Sequence, residues 1–521
     1  MRKVAGPMPS ARLPVPKPCW SAVRPVAPLR TENLHLSFVR EKAARRNRYI
    51  ISYTSFSCPI TMLTSFHLQN FKAWQDTGRI NLAPLTVIFG ANSAGKSSLG
   101  HWLLALKQTA QSTDRRRALH LGDDRAWVDL GAFADCLHGH DLTRELEFSL
   151  RWRVSGGLAV SDPLTAQRLR GNELGLDVAL AADSAGQPSV RALRYRLFDG
   201  FTETLSVKLE RNAAGPLELE ATGYKLVRTV GKPWPLDAPE KFYRVSEASL
   251  ARFQNAGFLS DFALALEAML DQFYYLGPLR QAPRRIYQWA GDAPEDLGLS
   301  GEYAVAAILA AEARGRTLSL GPRQRWRPFG EIVAEALKRL GVIASFSVKP
   351  VAQGRKEYEV LVRTHGEASE VKLTDVGFGV SQVLPAIVEA FYCPPRSVVW
   401  MEQPEIHLHP QVQANLADVF IDAIHARENG KDRSVQLIIE SHSEHFLNRL
   451  QRRVAERKLD PAEVAIYFCS HGRKGAAMKR LELDEEGEIA NWPDHFFGDE
   501  MADIAGRTLA AMEHRRKAKA G

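Results

Sequence analysis

One stretch limits what this chain can fold into more than any other. It is Gly90-Ala91-Asn92-Ser93-Ala94-Gly95-Lys96-Ser97, followed by Ser98. The spacing fits G-x-x-x-x-G-K-[ST]. Before it, Leu85-Thr86-Val87-Ile88-Phe89 is apolar and partly β-branched, which predicts a buried strand. After it, Leu99 to Lys107 predicts a helix with a broad apolar face. Strand, glycine loop and helix, in that order, are the setting in which such a loop holds phosphate.

The residue types follow from that chemistry. Gly90 and Gly95 permit backbone conformations that a Cβ blocks, so that successive N–H groups turn inward toward phosphate oxygens. The helix start adds its own N–H groups and the positive end of its dipole. Lys96 supplies a point charge to the β- and γ-phosphates, and Ser97 a hydroxyl for Mg²⁺. Gly90, Ala91, Asn92, Ser93, Ala94, Gly95, Lys96, Ser97 and Ser98 are therefore the expected nucleotide-binding residues.

A chain of 521 residues has room for several domains. Its hydrophobic content of 45% is that of an ordinary globular protein, and no apolar run is long enough to span a bilayer. Cys19, Cys58, Cys136, Cys393 and Cys469 are far apart and show no C-x-x-C spacing. That argues against a zinc site or a disulfide framework, and suits a cytoplasmic location. The net charge of +8 is misleading as a sign of nucleic-acid binding. Residues 1–61 hold eleven Lys and Arg against Glu32 and Glu41, which accounts for the whole excess. The rest of the chain is close to neutral, so any DNA-binding patch must be local.

Residues 1–61 are rich in Pro and Arg and show no period. A disordered basic arm, a targeting peptide and a non-native extension ahead of a true start at Met62 all fit; the last is favoured. From Met62 to Lys72 the alternation predicts a strand, followed by a turn at Asp76-Thr77-Gly78 and a second strand into the loop. Asp114-Arg115-Arg116-Arg117 reads as a solvated helix end, and Trp127 to Phe133 as a strand and turn. Between Leu142 and about Val230, alternating segments separated by Gly- and Asn-rich turns predict an antiparallel sheet. From Ser246 to Leu340 the pattern is largely helical; Phe262, Leu266, Met269 and Leu270 share one face. Phe273 to Leu276 reads as a strand, and the nearby Arg280, Arg284 and Arg285 as a solvated turn.

Three later segments complete the pattern. Gly377-Phe378-Gly379-Val380-Ser381-Gln382 opens an apolar helix and offers a second anion-binding end. Val398 to Glu402 is an apolar strand ending in acid, followed by Gln403-Pro404-Glu405. A phosphate-loop protein presents one carboxylate to Mg²⁺ and another to the attacking water in this way. His407 and His409 lack a third ligand at useful spacing and read as structural or interface residues. Val435 to Ser443 is another apolar strand with a polar end, where His442 is placed to meet a γ-phosphate.

Together these residues resemble the ABC-type ATPases of the SMC/RecF/OLD group, often labelled AAA-family ATPases. Gly90–Ser97 looks like the Walker A loop, Gly377–Gln382 like a divergent signature, Val398–Glu402 like Walker B, and His442 like the switch histidine. Gly487 to Phe497 resembles a small C-terminal domain of unknown function found on a bacterial subset of these proteins. The resemblance implies an α/β P-loop NTPase fold, ABC-ATPase-like, split by an antiparallel-β and helical insertion. Its parts would be residues 62–141 and 366–475, with the insertion at 142–365 and a small segment at 476–521. It implies ATP and Mg²⁺ as cofactors, Ser97 and Glu402 as metal-site residues, and Gly379, Ser381 and Gln382 as contacts to ATP. It further implies a homodimer that closes head to tail around ATP, with DNA or a partner protein as the further partner and no membrane. DNA metabolism and anti-phage defence are settings typical of the group.

The pattern departs from the group in three places, one of them the signature, which lacks the usual Ser-Gly-Gly-Gln order. Gln403 stands where the catalytic Glu is usual, and a neutral amide is too weak a base to activate water. Glu402, Glu405 and His442 are the catalytic candidates, and Glu405 would have to serve as base. No glutamine after the first helix stands out as a Q-loop residue. Two alternatives follow: an ATP-binding scaffold with little hydrolysis, and an OLD-type nuclease coupled to the ATPase. For the nuclease, Asp484-Glu485-Glu486 is the dense acidic cluster beyond His442.

Overall fold

The computed structural model describes residues 61–493, apart from 166–167, 212–214, 232–233, 365–368 and 473–474, together with 507, 509–510 and 512. The basic segment ahead of Thr61, and the Asp494–Phe497 part of the C-terminal resemblance, lie outside the described residues.

The fold is mixed α/β and is built on a six-stranded sheet. Its strands run in the order Phe273–Leu276, Val398–Glu402, Gln436–Glu440, Leu85–Gly90, Val464–Gly472 and Gly475–Leu481. The first five are parallel and the last is antiparallel. A parallel sheet covered on both faces is apolar on both, and the strands divide accordingly. Val398, Trp400 and Ile438 pack on one side, with the helix Lys96–Gln111. Val87, Phe89, Met401 and Ile439 pack on the other, with the helices Phe378–Tyr392, Pro410–His425 and Glu444–Ala455. The strand Phe273–Leu276 comes from within 142–365, so the core sheet takes one strand from the segment expected to be an insertion.

The antiparallel sheet expected between Leu142 and Val230 is present as five strands between Leu146 and Thr222. It is continuous with the strand Thr61–Phe71, which pairs with Leu146–Ser161. Trp102 joins this sheet to the core: its ring lies 4.9 Å from Phe71 and 5.1 Å from Phe148. Aromatic pairs of this kind add about 0.5–1.5 kcal/mol each beyond their buried area. The helix Phe258–Asp271 buries Phe262, Leu266, Met269 and Leu270, as its periodicity predicts.

Trp127 to Phe133 does not form the strand expected there. The Asp129 carboxylate accepts the Gly131 N–H at 2.9 Å, and Gly131 takes φ 83°. The chain therefore turns into a short helix, Phe133–Cys136. No helix among the described residues is long and apolar enough to cross a membrane.

Candidate nucleotide site

The glycine loop leaves the strand Leu85–Gly90 and enters the helix Lys96–Gln111. Both glycines answer to a specific neighbour. Gly90 takes φ 145°, and a Cβ there would lie 2.1 Å from the Cys469 carbonyl oxygen. Gly95 takes φ 85°, and its Cβ would lie 3.0 Å from the Trp74 indole nitrogen. That indole N–H donates to the Gly95 carbonyl and to Ser98 Oγ, both at 3.1 Å, and so braces the loop from beneath.

Gly95 caps the helix without a side-chain acceptor, and no acid sits in the first turn. The helix start is thereby left with the character that attracts an anion. The Lys96 ammonium curls back over the loop and donates to the carbonyls of Gly90 (2.9 Å) and Ala91 (2.8 Å). Burial lowers its pKa, while Glu440, Cys469, Glu402 and Glu405 pull the other way.

The acids stand opposite, at the ends of neighbouring strands. Glu402 and Glu440 are directly paired in register, and both are buried. Side chains two apart on a strand share a face. Glu402 therefore follows Trp400 and Glu440 follows Ile438 onto the side where the phosphate-loop helix begins. Ser97 Oγ donates to Glu440 Oε2 at 2.9 Å. Trp400 Nε1 donates to Glu440 Oε1 at 2.7 Å. Burial, and then the neighbouring Glu402 charge, push the Glu440 carboxyl up to about 8 against the pull of Trp400, Ser97 and Lys96. Tyr275 donates its hydroxyl to Glu402, and His101 Nε2 lies 3.5 Å from the same carboxylate.

Glu405 is placed differently from Glu402. Its Oε1 accepts Ser441 Oγ at 2.7 Å and the His442 backbone N–H at 2.8 Å. Its Oε2 is buried without a hydrogen-bond partner among the described residues, and burial raises its pKa. Glu405 thus fixes the segment that carries His442. Ser443 completes the clamp by capping the following helix through the Phe446 N–H and donating to Gln413. The surrounding protein, and then the Lys96 charge, hold the His442 imidazole down to about 4, so the ring is neutral at pH 7.

The resemblance to a signature falls at the start of the helix Phe378–Tyr392. Gly379 lies under the segment that follows Glu402: a Cβ there would stand 3.2 Å from the His407 carbonyl oxygen and from Leu408. Ser381 and Gln382 are buried in the first turns. His409 caps the helix Pro410–His425, accepting the Gln411 N–H, in keeping with a structural reading.

The basic turn near residue 280 needs correction. Arg284 and Arg285 are exposed, and Arg285 pairs with Asp375. Arg280 is buried and donates to the Glu402 carbonyl at 3.0 Å; burial pushes its pKa down to about 10. Composition around Arg280 suggests a solvated turn, because nothing local reveals that the preceding strand is the edge of the core sheet. Sequence reasoning also left out Glu440, Tyr275 and Trp400. The signal for Glu440 is its parity with Ile438 in a short apolar strand, but its value depends on which strand pairs with which.

Magnesium usually keeps several waters and takes one or two carboxylates together with substrate phosphates. Ser97 and Glu402 fit that donor set, while both Glu440 oxygens are engaged by Ser97 and Trp400. Among the described residues no group of three or more His, Cys, Asp and Glu is arranged to hold a metal unaided.

The strand, loop and facing acids form the candidate nucleotide site. Residues 324–447 match the family described as AAA ATPase domain, and residues 459–506 match a family described as protein of unknown function, DUF3696. The two matches follow one another along the chain, in the combination that its motifs resemble. No curated protein matches it.

Three solved SMC head domains are similar to it. One is bound to the C-winged helix domain of ScpA, with 12% identity, 81% of this chain and 98% of that chain covered, and a TM-score of 0.41. Another has an extended coiled coil and is bound to the C-terminal domain of ScpA from Pyrococcus furiosus, with 11% identity, 81% and 97% covered, and a TM-score of 0.39. The third is from Thermotoga maritima, with 10% identity, 81% and 99% covered, and a TM-score of 0.34.

Proposed function

We propose that this chain binds ATP with Mg²⁺, hydrolyses it, and acts as a cytoplasmic dimeric switch. The observation that supports this best is the convergence of Lys96, Ser97 and Glu402 at one end of one parallel sheet. In this reading 62–141 and 366–475 form the ATPase domain, 142–365 is an insertion that lends it one strand, and 476–521 is a small appended segment.

Ser97 and Glu402 would hold Mg²⁺, which would offset the negative charge that develops in phosphoryl transfer. Lys96 exchanges the carbonyls of Gly90 and Ala91 for phosphate oxygens. Ser97 and Glu402 provide oxygen donors on the metal side. His442, neutral and held by Glu405, donates to the γ-phosphate. Gly379 of a second copy closes over the nucleotide, with Ser381 and Gln382 buried behind it in the same helix, so that ATP favours the closed dimer. Opening follows hydrolysis, and the insertion passes the change to DNA or to a partner protein, in DNA metabolism or anti-phage defence.

Gln403 leaves Glu405 as the carboxylate able to accept a proton from water. Its Oε2 is the oxygen not engaged by the Ser441–His442 segment, and a raised pKa suits a general base. The engagement of Oε1 also favours a second reading, an ATP-held scaffold in which Glu405 only clamps the switch segment.

Steady-state phosphate release and ATP affinity of Glu405→Gln separate the two. As a base, Glu405 gives a kcat loss of about 100-fold or more on substitution, with ATP affinity nearly unchanged. Tight binding without turnover in the unsubstituted chain supports the scaffold. Sedimentation with and without ATP tests the dimer, and duplex DNA in the assay tests the partner.

A further inference from the structure

We propose that Glu440 is a positioning residue of the magnesium site, aiming the Ser97 hydroxyl oxygen at the cation. This rests on the nucleotide reading above and goes beyond it. The strand ending at Glu402 supplies the acid that phosphate-loop chemistry calls for; Glu440 comes from the strand between that one and the loop strand.

A serine hydroxyl has one proton and two lone pairs. Ser97 gives its proton to Glu440 Oε2, which leaves the oxygen lone pairs directed away from that carboxylate. The carboxylate is itself held in place. Its Oε1 accepts the Trp400 indole N–H. The indole ring in turn lies over Gly100 on the phosphate-loop helix, where a Cβ would stand 2.6 Å from ring atoms. Gly100, Trp400, Glu440 and Ser97 therefore form one packed chain of contacts, and all four are anchored on elements of the core.

When ionised, as a cation at this site favours, Glu440 can serve both donors that it faces. It has acceptors on both oxygens, whereas a glutamine amide has one oxygen and one NH₂ group. In Glu440→Gln either the indole or the hydroxyl must face N–H. If the hydroxyl does, Ser97 turns to accept, and a lone pair meant for the metal is lost. Groups that orient metal ligands typically carry about 10–100-fold in metal affinity.

The test uses the full chain and a non-hydrolysable ATP analogue, with calorimetric affinities measured with and without Mg²⁺ and Mn²⁺ coordination followed by EPR. In Glu440→Gln the factor by which Mg²⁺ tightens analogue binding is expected to fall about tenfold, with Mg²⁺-free affinity nearly unchanged. Trp400→Phe, which keeps the carboxylate but removes one donor to it, is expected to shift the same factor less. It also keeps the idea testable if Glu440→Gln does not fold. An unaltered Mg²⁺ factor and Mn²⁺ spectrum in the folded variants, even with a lowered melting temperature, would assign Glu440 a purely structural role and overturn the proposal. Failure of the underlying reading looks different: the unsubstituted chain would not bind the analogue at all.

Discussion

The phosphate loop and the acids that face it meet at one end of one sheet, but they are held there by different means. The loop is eight consecutive residues. Its shape follows from two glycines with positive φ and from close neighbours, Cys469 and Trp74. Glu402 and Glu440 come from separate strands, and only the register between those strands sets them side by side. A one-residue slip would turn either acid to the opposite face. The loop is thus vulnerable at particular atoms, whereas the acids are vulnerable to anything that moves a strand or the indole between them.

The largest effect should come from the loop. Gly90→Ala places a Cβ 2.1 Å from a backbone carbonyl at a φ of 145°. We expect about 2–4 kcal/mol of lost stability in urea denaturation. A loss below about 1 kcal/mol would mean that the loop tolerates what its geometry forbids.

Gly100→Ala tests the acids' side. Within an exposed helix the change ordinarily gains about 1 kcal/mol. Here the new methyl meets the Trp400 ring, and we expect a net loss of about 1–3 kcal/mol. Stabilisation would show that the indole moves freely and does not hold Glu440.

The most gradual effect is one of pH. The folded-state pKa of Glu440 is raised from 4.5 to about 8, so the folded chain binds this proton more tightly than the unfolded chain does. Its contribution to stability is present in full below about 4.5 and is lost as pH rises through about 8. Glu389 is also raised to about 8 by burial and then by Asp296, and acts in the same direction. Without Mg²⁺, stability should decline across that window. Glu440→Gln should shrink the decline without removing it, and an unchanged slope would count against the burial of its charge.

What could be read from the residues follows the same division. The loop, its flanking strand and helix, and the five antiparallel strands are local in period and spacing, so they were legible in advance. Fold class was legible with them. Trp127 to Phe133 is not a strand because one turn at Asp129-Leu130-Gly131 outweighs β-propensity over a few residues. Arg280, Tyr275 and Glu440 take their meaning from the strand order, which brings residues 273–276, 398–402 and 436–440 together. No pattern within any one of those segments states who its neighbours are. Glu405 was legible as a candidate acid, but its hold on the His442 segment appears only in three dimensions.

ATP hydrolysis by the full chain and by Lys96→Ala, each with and without Mg²⁺, tests the central claim most directly. We expect Mg²⁺-dependent phosphate release that falls to background in Lys96→Ala, with ATP affinity reduced about 10–100-fold by loss of the charged donor. Turnover and affinity unchanged in Lys96→Ala would contradict the nucleotide site described for this loop.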